Sequence, residues 1–225
     1  KVASLPVVDP HNHADVKEIA ENKNYRNPWQ VFAATDHYVW EMLRKCGVPE
    51  RHITGDAPAE EKWQKMAEVF PLIAGNPVYE WVHLDLRRCF GIEELLCKAT
   101  GQKMWKAVSE KLKLPGSRPR QILMKTGVEV MCSTDDPGDI LDVHMRVNRE
   151  MGSTVIRPTW RLDRVMKINT PGWRQYIKKL EVRFKVKCLS IKDIENILKR
   201  SHDYFAECGC MASDHGVEAP LAGTA

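Results

Sequence analysis

The amino-acid sequence has no apolar run long enough to span a membrane. A transmembrane helix needs about 18 or more consecutive apolar residues, and charged side chains interrupt every such stretch of the 225 residues. Residues 1–8 run straight into polar residues and lack the length of a secretory signal peptide. We therefore expect a cytoplasmic protein without a membrane anchor.

Also absent are blocks of one charge, internal repeats and low-complexity segments. The 34 basic and 30 acidic residues give a net charge of +4 and are interspersed along the chain. No group of lysines and arginines stands without nearby carboxylates, so the pattern typical of a nucleic-acid-binding surface is missing. Hydrophobic residues make up 43% and charged residues 28%, which are ordinary values for a folded globular protein.

Cysteine is present, but not in a pattern typical of a disulfide framework or a zinc site. The seven cysteines are odd in number and scattered, which favours reduced thiols. Cys208 and Cys210 flank one glycine, and no second pair with matching spacing accompanies them. We interpret these two thiols as neighbours of a turn.

Short apolar segments that alternate with helical periodicity predict an α/β fold. Four segments predict strands, at residues 5–9, 128–133, 154–156 and 210–213. Strands that alternate with helices form parallel sheets with right-handed crossovers. The predicted organisation is a first strand and its polar motif at 1–14, a helical insertion at 15–126, βα units at 127–218 and an unstructured tail at 219–225.

Each predicted strand is followed by a cluster of polar side chains. The clusters are His11 with His13, Asp135 with Asp136, Arg157 to Arg161, and Asp214 with His215. In α/β barrels the chemistry lies in the loops that follow the carboxyl ends of the strands. Four such clusters together predict a functional site at that edge of the sheet.

The sharpest of these clusters is His11-Asn12-His13. Residues at i and i+2 point to the same side of an extended chain, so both imidazoles could meet one ion. Imidazole nitrogen suits Zn²⁺, Mn²⁺ or Fe²⁺. A surface pair in a loop is the alternative, and the position directly after a strand favours the metal site.

The segment Asp36-His37-Tyr38 is typical of a helix start. We expect Asp36 to cap the helix, which places His37 and Tyr38 in the first turn, where the helix dipole favours anions. That position suits the binding of a carboxylate or an enediolate. Ordinary packing of one side chain and exposure of the other explains the pattern equally well.

The clusters after the second and third predicted strands are less specific. Asp135 and Asp136 precede Pro137, which predicts the cap of a helix reaching residue 151, with one Asp left to face a site. Arg157 and Arg161 could hold a carboxylate through the guanidinium fork, or form salt bridges to neighbouring helices.

These segments and several others resemble the uronate (glucuronate) isomerases, an aldose–ketose isomerase family within the amidohydrolase superfamily. The matching segments follow one order along nearly the whole chain, from about residue 5 to residue 218. They include Asp9-Pro10-His11-Asn12-His13, Asp36-His37-Tyr38-Val39-Trp40, Asn76-Pro77-Val78-Tyr79-Glu80-Trp81, Cys132-Ser133-Thr134-Asp135-Asp136-Pro137, Arg157-Pro158-Thr159-Trp160-Arg161 and Ser213-Asp214-His215-Gly216.

The resemblance implies a distorted (β/α)₈ barrel with a large helical insertion after the first strand, of which this chain would hold about four parallel strands. It implies interconversion of D-glucuronate with D-fructuronate, and of D-galacturonate with D-tagaturonate, through an enediolate. His11 and His13 then correspond to metal ligands, usually of zinc. His37, Tyr38 and Arg161 correspond to substrate contacts. For the proton transfer, Tyr38 or a metal-bound hydroxide could move the proton, and His37 could donate to a substrate oxygen.

Length separates this chain from the family it resembles. A complete eight-stranded barrel typically takes about 250 residues, and family members are longer still. The resemblance implies a third metal ligand, an Asp after the last strand, beyond residue 218. We expect a half-barrel with open sheet edges to be unstable alone or to form a homo-oligomer. A metal-dependent hydrolase of the same superfamily and a non-catalytic fragment or assembly module remain as alternatives.

Overall fold

A computed structural model describes residues 5–216, and every structural statement below refers to that range. The chain divides into two compact units. The α/β unit comprises the described parts of residues 1–21 and 127–225, and the helical unit comprises residues 22–126. No helix within residues 5–216 is long and apolar enough to cross a membrane. The predicted tail, 219–225, lies outside the described residues.

The described part of the α/β unit contains five short strands. They are β1 (Val7–Asp9), β2 (Val128–Cys132), β3 (Val155–Arg157), β4 (Thr159–Arg161) and β5 (Ala212–Asp214). One sheet has the order β1-β2-β3 and a second pairs β4 with β5. All three strand pairings are parallel, so the predicted parallel α/β arrangement is confirmed.

The structure adds one strand, β4, to the four that the sequence predicts. Pro158 separates β3 from β4 and has no backbone N–H to offer a neighbour, so the ladder breaks at that residue. The segment 157–161 therefore looks like a polar loop in the sequence. Asp135, beyond the end of β2, continues the pairing instead: its N–H donates to Thr159 O, and its carbonyl accepts from Arg161 N, both at 3.0 Å.

Eleven α-helices lie between residues 5 and 216. They are α1 (Val16–Glu21), α2 (Pro28–Phe32), α3 (His37–Lys45), α4 (Ala59–Val69), α5 (Pro77–Phe90), α6 (Gly101–Leu112), α7 (Pro119–Lys125), α8 (Asp142–Met151), α9 (Asp163–Met166), α10 (Trp173–Phe184) and α11 (Ile191–Glu207). Helices α2 to α7 form the helical unit, and the others belong to the α/β unit.

The helical unit is built around a core of aromatic and aliphatic side chains. Helix α4 buries Trp63, Met66 and Ala67, which lie three and four residues apart and so share one face. Trp63 is fully buried, and its indole Nε1 donates to Gly101 O at 2.8 Å. A Cβ at position 101 would lie 2.7 Å from the Ala67 Cβ, so glycine allows α6 to approach α4 closely.

Local capping signals in the sequence fix several helix starts. Asp36 accepts from Tyr38 N and Val39 N as the cap of α3, and Asn76 accepts from Val78 N before Pro77 opens α5. Ser190 and Asp193 form a capping box at the start of α11, as their spacing predicts.

The prediction that Asp135 and Asp136 cap a helix is wrong. Helix α8 begins only at Asp142, and the residue before it, Leu141, provides no side-chain cap. Asp135 is buried and takes hydrogen bonds from Ser133 and from the backbone of Thr159. The Asp135 carboxylate thus accepts hydrogen bonds from residues that are not at a helix start, and it does not accept from the backbone N–H groups of α8.

Candidate functional site

Parallel pairing brings the residues that follow β1, β4 and β5 to the same edge of the α/β unit. In β1, Asp9 lies opposite Met131 of β2. In β4, Arg161 lies opposite Asp214 of β5. His11 and His13 come directly after β1, so both imidazoles emerge at the carboxyl ends of the strands. This is the edge at which the sequence predicts a site.

Asn12 anchors the segment between the two histidines. Its backbone N–H and its side-chain amide both donate to Cys132 O, at 3.1 and 2.9 Å. Its own carbonyl accepts from Thr134 Oγ1 at 2.8 Å. Since neighbouring side chains on an extended chain point to opposite sides, fixing Asn12 against β2 directs His11 and His13 the other way.

The two imidazoles converge on one point. His11 Nε2 and His13 Nε2 are 3.0 Å apart, and the ring planes cross at 83°. Two ligands of one tetrahedral zinc ion, each about 2.0–2.1 Å from it, would be about 3.3 Å apart, so a small separation of the rings would admit an ion. Among residues 5–216, no group of three His, Cys, Asp or Glu side chains is arranged to hold a metal.

Asp214, at the end of β5, links this histidine pair to Arg161. Its Oδ2 lies 2.7 Å from His11 Nδ1, and its Oδ1 lies 3.8 Å from Arg161 Nε. Arg161 Nε also donates to Asp163, whose other oxygen accepts from Gly216 N at 2.8 Å. Asp214 belongs to the polar cluster predicted after the last strand, for which the sequence allows ligand or acid–base chemistry or a simple polar turn.

Two charges next to the site are stabilised by their neighbours. The hydrogen bond to Asp163 raises the pKa of the Arg161 guanidinium above its already high value. Burial opposes ionisation of Asp163, but the hydrogen bonds from Arg161 and Gly216 outweigh it and lower the pKa of that carboxyl. Arg161 is therefore a permanent cation whose Nε is engaged, and its guanidinium carries further N–H donors.

Arg157 at the end of β3 and Arg161 at the end of β4 have different environments. Arg157 Nη1 donates to Gly209 O at 3.4 Å, so Arg157 contacts the turn that precedes β5. Gly209 has a φ of +88°, and a Cβ there would lie 2.5 Å from Arg157 Nη1. Arg157 therefore makes a structural contact with a backbone carbonyl, whereas Arg161 lies beside Asp214.

A buried polar cluster lies behind the loop after β2. Ser133 Oγ donates to Asp135 Oδ2 at 2.7 Å and lies 2.8 Å from His144 Nε2. Ser133 Oγ also lies 3.3 Å from Arg157 O, and His144 Nε2 lies 3.3 Å from Asp135 Oδ1. These groups form a buried network that holds the loop after β2. His144 could not be predicted as part of this cluster, because a lone His on a helix carries no signal in the sequence.

An open cleft of about 830 Å³ lies beside this cluster. Its wall includes His13, Lys17, Asp135, Asp139 and His144. The cleft has the size of a small-molecule site, for which about 300–1,000 Å³ is usual. Burial raises the pKa of Asp139, so the wall holds a carboxyl group that ionises less readily than an exposed one.

His37 and Tyr38 form a separate group in the helical unit. Their ring centroids are 4.2 Å apart in the first turn of α3. Tyr38 also packs edge-on against Trp81 at 6.1 Å, and both of these side chains are about half exposed. The structure thus brings His11, His13 and Arg161 to one edge of the α/β unit, and places His37 with Tyr38 on one helix of the other unit.

Comparison with known proteins gives a consistent result. A family model described as glucuronate isomerase matches residues 1–224. A uronate isomerase from Thermotoga maritima is 44% identical over 220 residues, which are 98% of this chain and 48% of that protein. A crystal structure of uronate isomerase from Thermotoga maritima superposes with a TM-score of 0.89 over 95% of this chain and 47% of the other.

A more distant structure agrees on the fold. The crystal structure of glucuronate isomerase from Caulobacter crescentus is 23% identical, with a TM-score of 0.87 over 95% of this chain and 46% of the other. The chain spans about half the length of the relatives that it matches. Because the family match covers nearly every residue, the chain belongs to the glucuronate isomerase family.

Proposed function

We propose that this chain carries the first part of the active site of a uronate isomerase. The reaction would interconvert D-glucuronate with D-fructuronate, and D-galacturonate with D-tagaturonate. The observation that carries the proposal is the His11–His13 pair, joined through Asp214 to Arg161 at the carboxyl ends of parallel strands. The relative from Thermotoga maritima is named uronate isomerase, and it matches 98% of the chain.

We propose that the histidine pair binds a divalent ion, zinc being the best match to imidazole donors. The donor set supports this, since two ring nitrogens face each other at 3.0 Å and a carboxylate lies behind one of the rings. A bound ion would polarise the hydroxyl and carbonyl oxygens of the sugar. Residues 5–216 supply two ligands, and a third, an Asp after the last strand of the family fold, would come from further sequence.

The other site residues suit the remaining parts of the reaction. Arg161 would hold the substrate carboxylate through the guanidinium nitrogens other than Nε, which donates to Asp163. Tyr38 would move the proton between C2 and C1, and His37 would donate a hydrogen bond to an enediolate oxygen. The exposure of Tyr38 supports this role, because a side chain about half exposed can reach a ligand.

We further propose that the five strands belong to a distorted (β/α)₈ barrel of the amidohydrolase superfamily, in a homo-oligomeric cytoplasmic protein. The parallel pairing and the polar residues after each strand support the barrel. Within the described residues β1 pairs only with β2, and Val7 and Val8 are 43% and 64% exposed. In a complete sheet, an apolar edge strand of this kind is typically covered by another strand, a helix or a loop.

The test is a chimera in which residues 5–216 replace the matching segment of the Thermotoga maritima enzyme. We expect the chimera to convert D-glucuronate to D-fructuronate, as followed by NMR, and to lose this activity on His11→Ala or His13→Ala. A folded chimera without uronate turnover would contradict the proposal. Turnover of a panel of esters and amides, with none of uronates, would indicate the hydrolase instead.

A further inference from the structure

We propose that Asp214 is a positioning residue for His11. It would hold the Nδ1 side of the ring, so that His11 Nε2 faces the same point as His13 Nε2. This inference rests on the proposed role of the two histidines in metal binding. None of the sequence motifs that predict the site assigns Asp214 such a task.

The geometry separates the two nitrogens of His11. Nδ1 lies 2.7 Å from Asp214 Oδ2, whereas Nε2 lies 3.0 Å from His13 Nε2. The two nitrogens lie on different edges of an imidazole, so one ring serves two partners. By angle the contact with Asp214 is not a hydrogen bond, and Asp214 Oδ2 is a buried atom with no hydrogen-bond partner among residues 5–216. A small rotation of the ring would align Nδ1–H with that oxygen and satisfy both groups.

The same geometry shows why Asp214 is not itself a ligand of the ion. It contacts the nitrogen of His11 that does not face His13. In agreement, the described part of the chain contains no group of three side chains arranged around one point. A carboxylate that accepts from the second nitrogen of a metal-binding histidine fixes the ring orientation and the tautomer, which leaves the lone pair of Nε2 available.

Asp214 is well placed to act in this way, because it is held by a strand. It pairs with Arg161 across β4 and β5, and its Oδ1 lies 3.8 Å from Arg161 Nε. Its side chain is 23% exposed. A group fixed by strand pairing positions its neighbour more accurately than a group on a loop does.

The experiment measures zinc binding to the purified 225-residue chain by competition with a chromophoric chelator. We expect Asp214→Ala to weaken zinc binding by about 10- to 100-fold, the range usual for second-sphere carboxylates, and Asp214→Asn to weaken it less. The matched control is Asp163→Asn, which removes a carboxylate next to Arg161 that does not contact His11. Far-UV circular dichroism verifies the fold of each variant.

A second readout is the tautomer of His11 in the metal-free chain, from its ¹⁵N chemical shifts. We expect Asp214→Ala to decrease the Nδ1–H form, and Asp163→Asn to leave it unchanged. Equal zinc affinity in wild type and Asp214→Ala, or an unchanged tautomer, would overturn the inference. If the wild type binds no more zinc than His11→Ala with His13→Ala, the metal proposal fails, and the tautomer measurement alone decides the role of Asp214.

Discussion

The side-chain amide of Asn12 donates to the carbonyl oxygen of Cys132 at 2.9 Å, and this contact joins the histidine motif to the second strand. Asn12, the middle residue of the motif, therefore has a structural role, whereas His11 and His13 on either side of it point away from β2. The proposed metal-binding geometry therefore depends on a side chain that would itself never touch an ion.

Replacing Asn12 should weaken zinc binding without unfolding the chain. Asn12→Ala removes the side-chain hydrogen bonds to Cys132 and Asp9, so His11 and His13 are less well fixed. We expect several-fold weaker zinc binding and a loss of about 1–2 kcal/mol in the free energy of unfolding.

The matched control is Asn148→Ala, which removes two hydrogen bonds between α8 and Ile156. It should cost similar stability and leave zinc affinity unchanged. Equal zinc affinity in Asn12→Ala and wild type would show that the anchor is not needed.

The buried carboxylate of Asp135 should be important for stability. Asp135→Ala removes the side-chain acceptor of Thr159 N and the nearer of two acceptors of Ser133 Oγ, in a buried environment. We expect a loss of about 2–4 kcal/mol in urea denaturation. Asp142→Ala, at an exposed position of α8, is the control and should change the stability by less than about 0.5 kcal/mol. A similar value for the two variants would contradict a structural role for the Ser133–Asp135–His144 cluster.

Glu50 should give the helical unit a defined acid sensitivity. Hydrogen bonds from Arg44, and then from Thr54, lower the pKa of Glu50 to about 2. A carboxyl with a depressed pKa in the folded state stabilises the fold above its unfolded pKa of about 4.3, and that contribution is lost as the pH falls towards 2. We expect the melting temperature of Glu50→Gln to lie below wild type at pH 7 and to meet it near pH 2. Asp56→Asn, at a carboxylate 91% exposed, should show no such convergence. A constant gap across this range would count against the ion pair.

Gly101 is a position where close packing should outweigh helix propensity. Alanine normally stabilises a helix by about 1 kcal/mol relative to glycine. At position 101, however, the new Cβ would lie 2.7 Å from Ala67 Cβ. We therefore expect Gly101→Ala to destabilise the chain by about 1–3 kcal/mol in thermal or urea unfolding. Gly116→Ala, with only Lys125 Nζ within 4 Å at 3.8 Å, should be nearly neutral. A stabilised Gly101→Ala variant would show that α4 and α6 can move apart at little cost.

Tyr38→Phe should separate catalysis from metal binding. In the chimera, we expect turnover of D-glucuronate to fall by about 100-fold or more, as for loss of a general acid or base. Zinc content should not change, because Tyr38 is not one of the proposed ligands. The control is Tyr79→Phe, which alters a ring stacked on Phe70 in the core of the helical unit. Near-normal turnover in Tyr38→Phe would remove Tyr38 from the proposed mechanism.

Much of the local structure could be predicted from the sequence. The caps at Asp36, Asn76 and Ser190 act within three residues of the side chain that provides them, so their signals are local. Strand β4 and the role of Asp135 could not be predicted in the same way. Asp135 lies before a proline like many helix caps, and only its burial against Thr159 and Ser133 gives it another partner.

The sequence by itself determined the family, the alternation of strands and helices, the capped helix starts and the His11–His13 motif. These features depend on residue types and on short spacings, which hydrogen bonding and periodicity translate directly into local structure. Only the tertiary structure decided that Asp214 faces His11, that Arg161 lies beside Asp214 and that His144 joins Ser133. Each of these contacts joins different strands or helices, so it exists only once sheet pairing and core packing have brought those segments together.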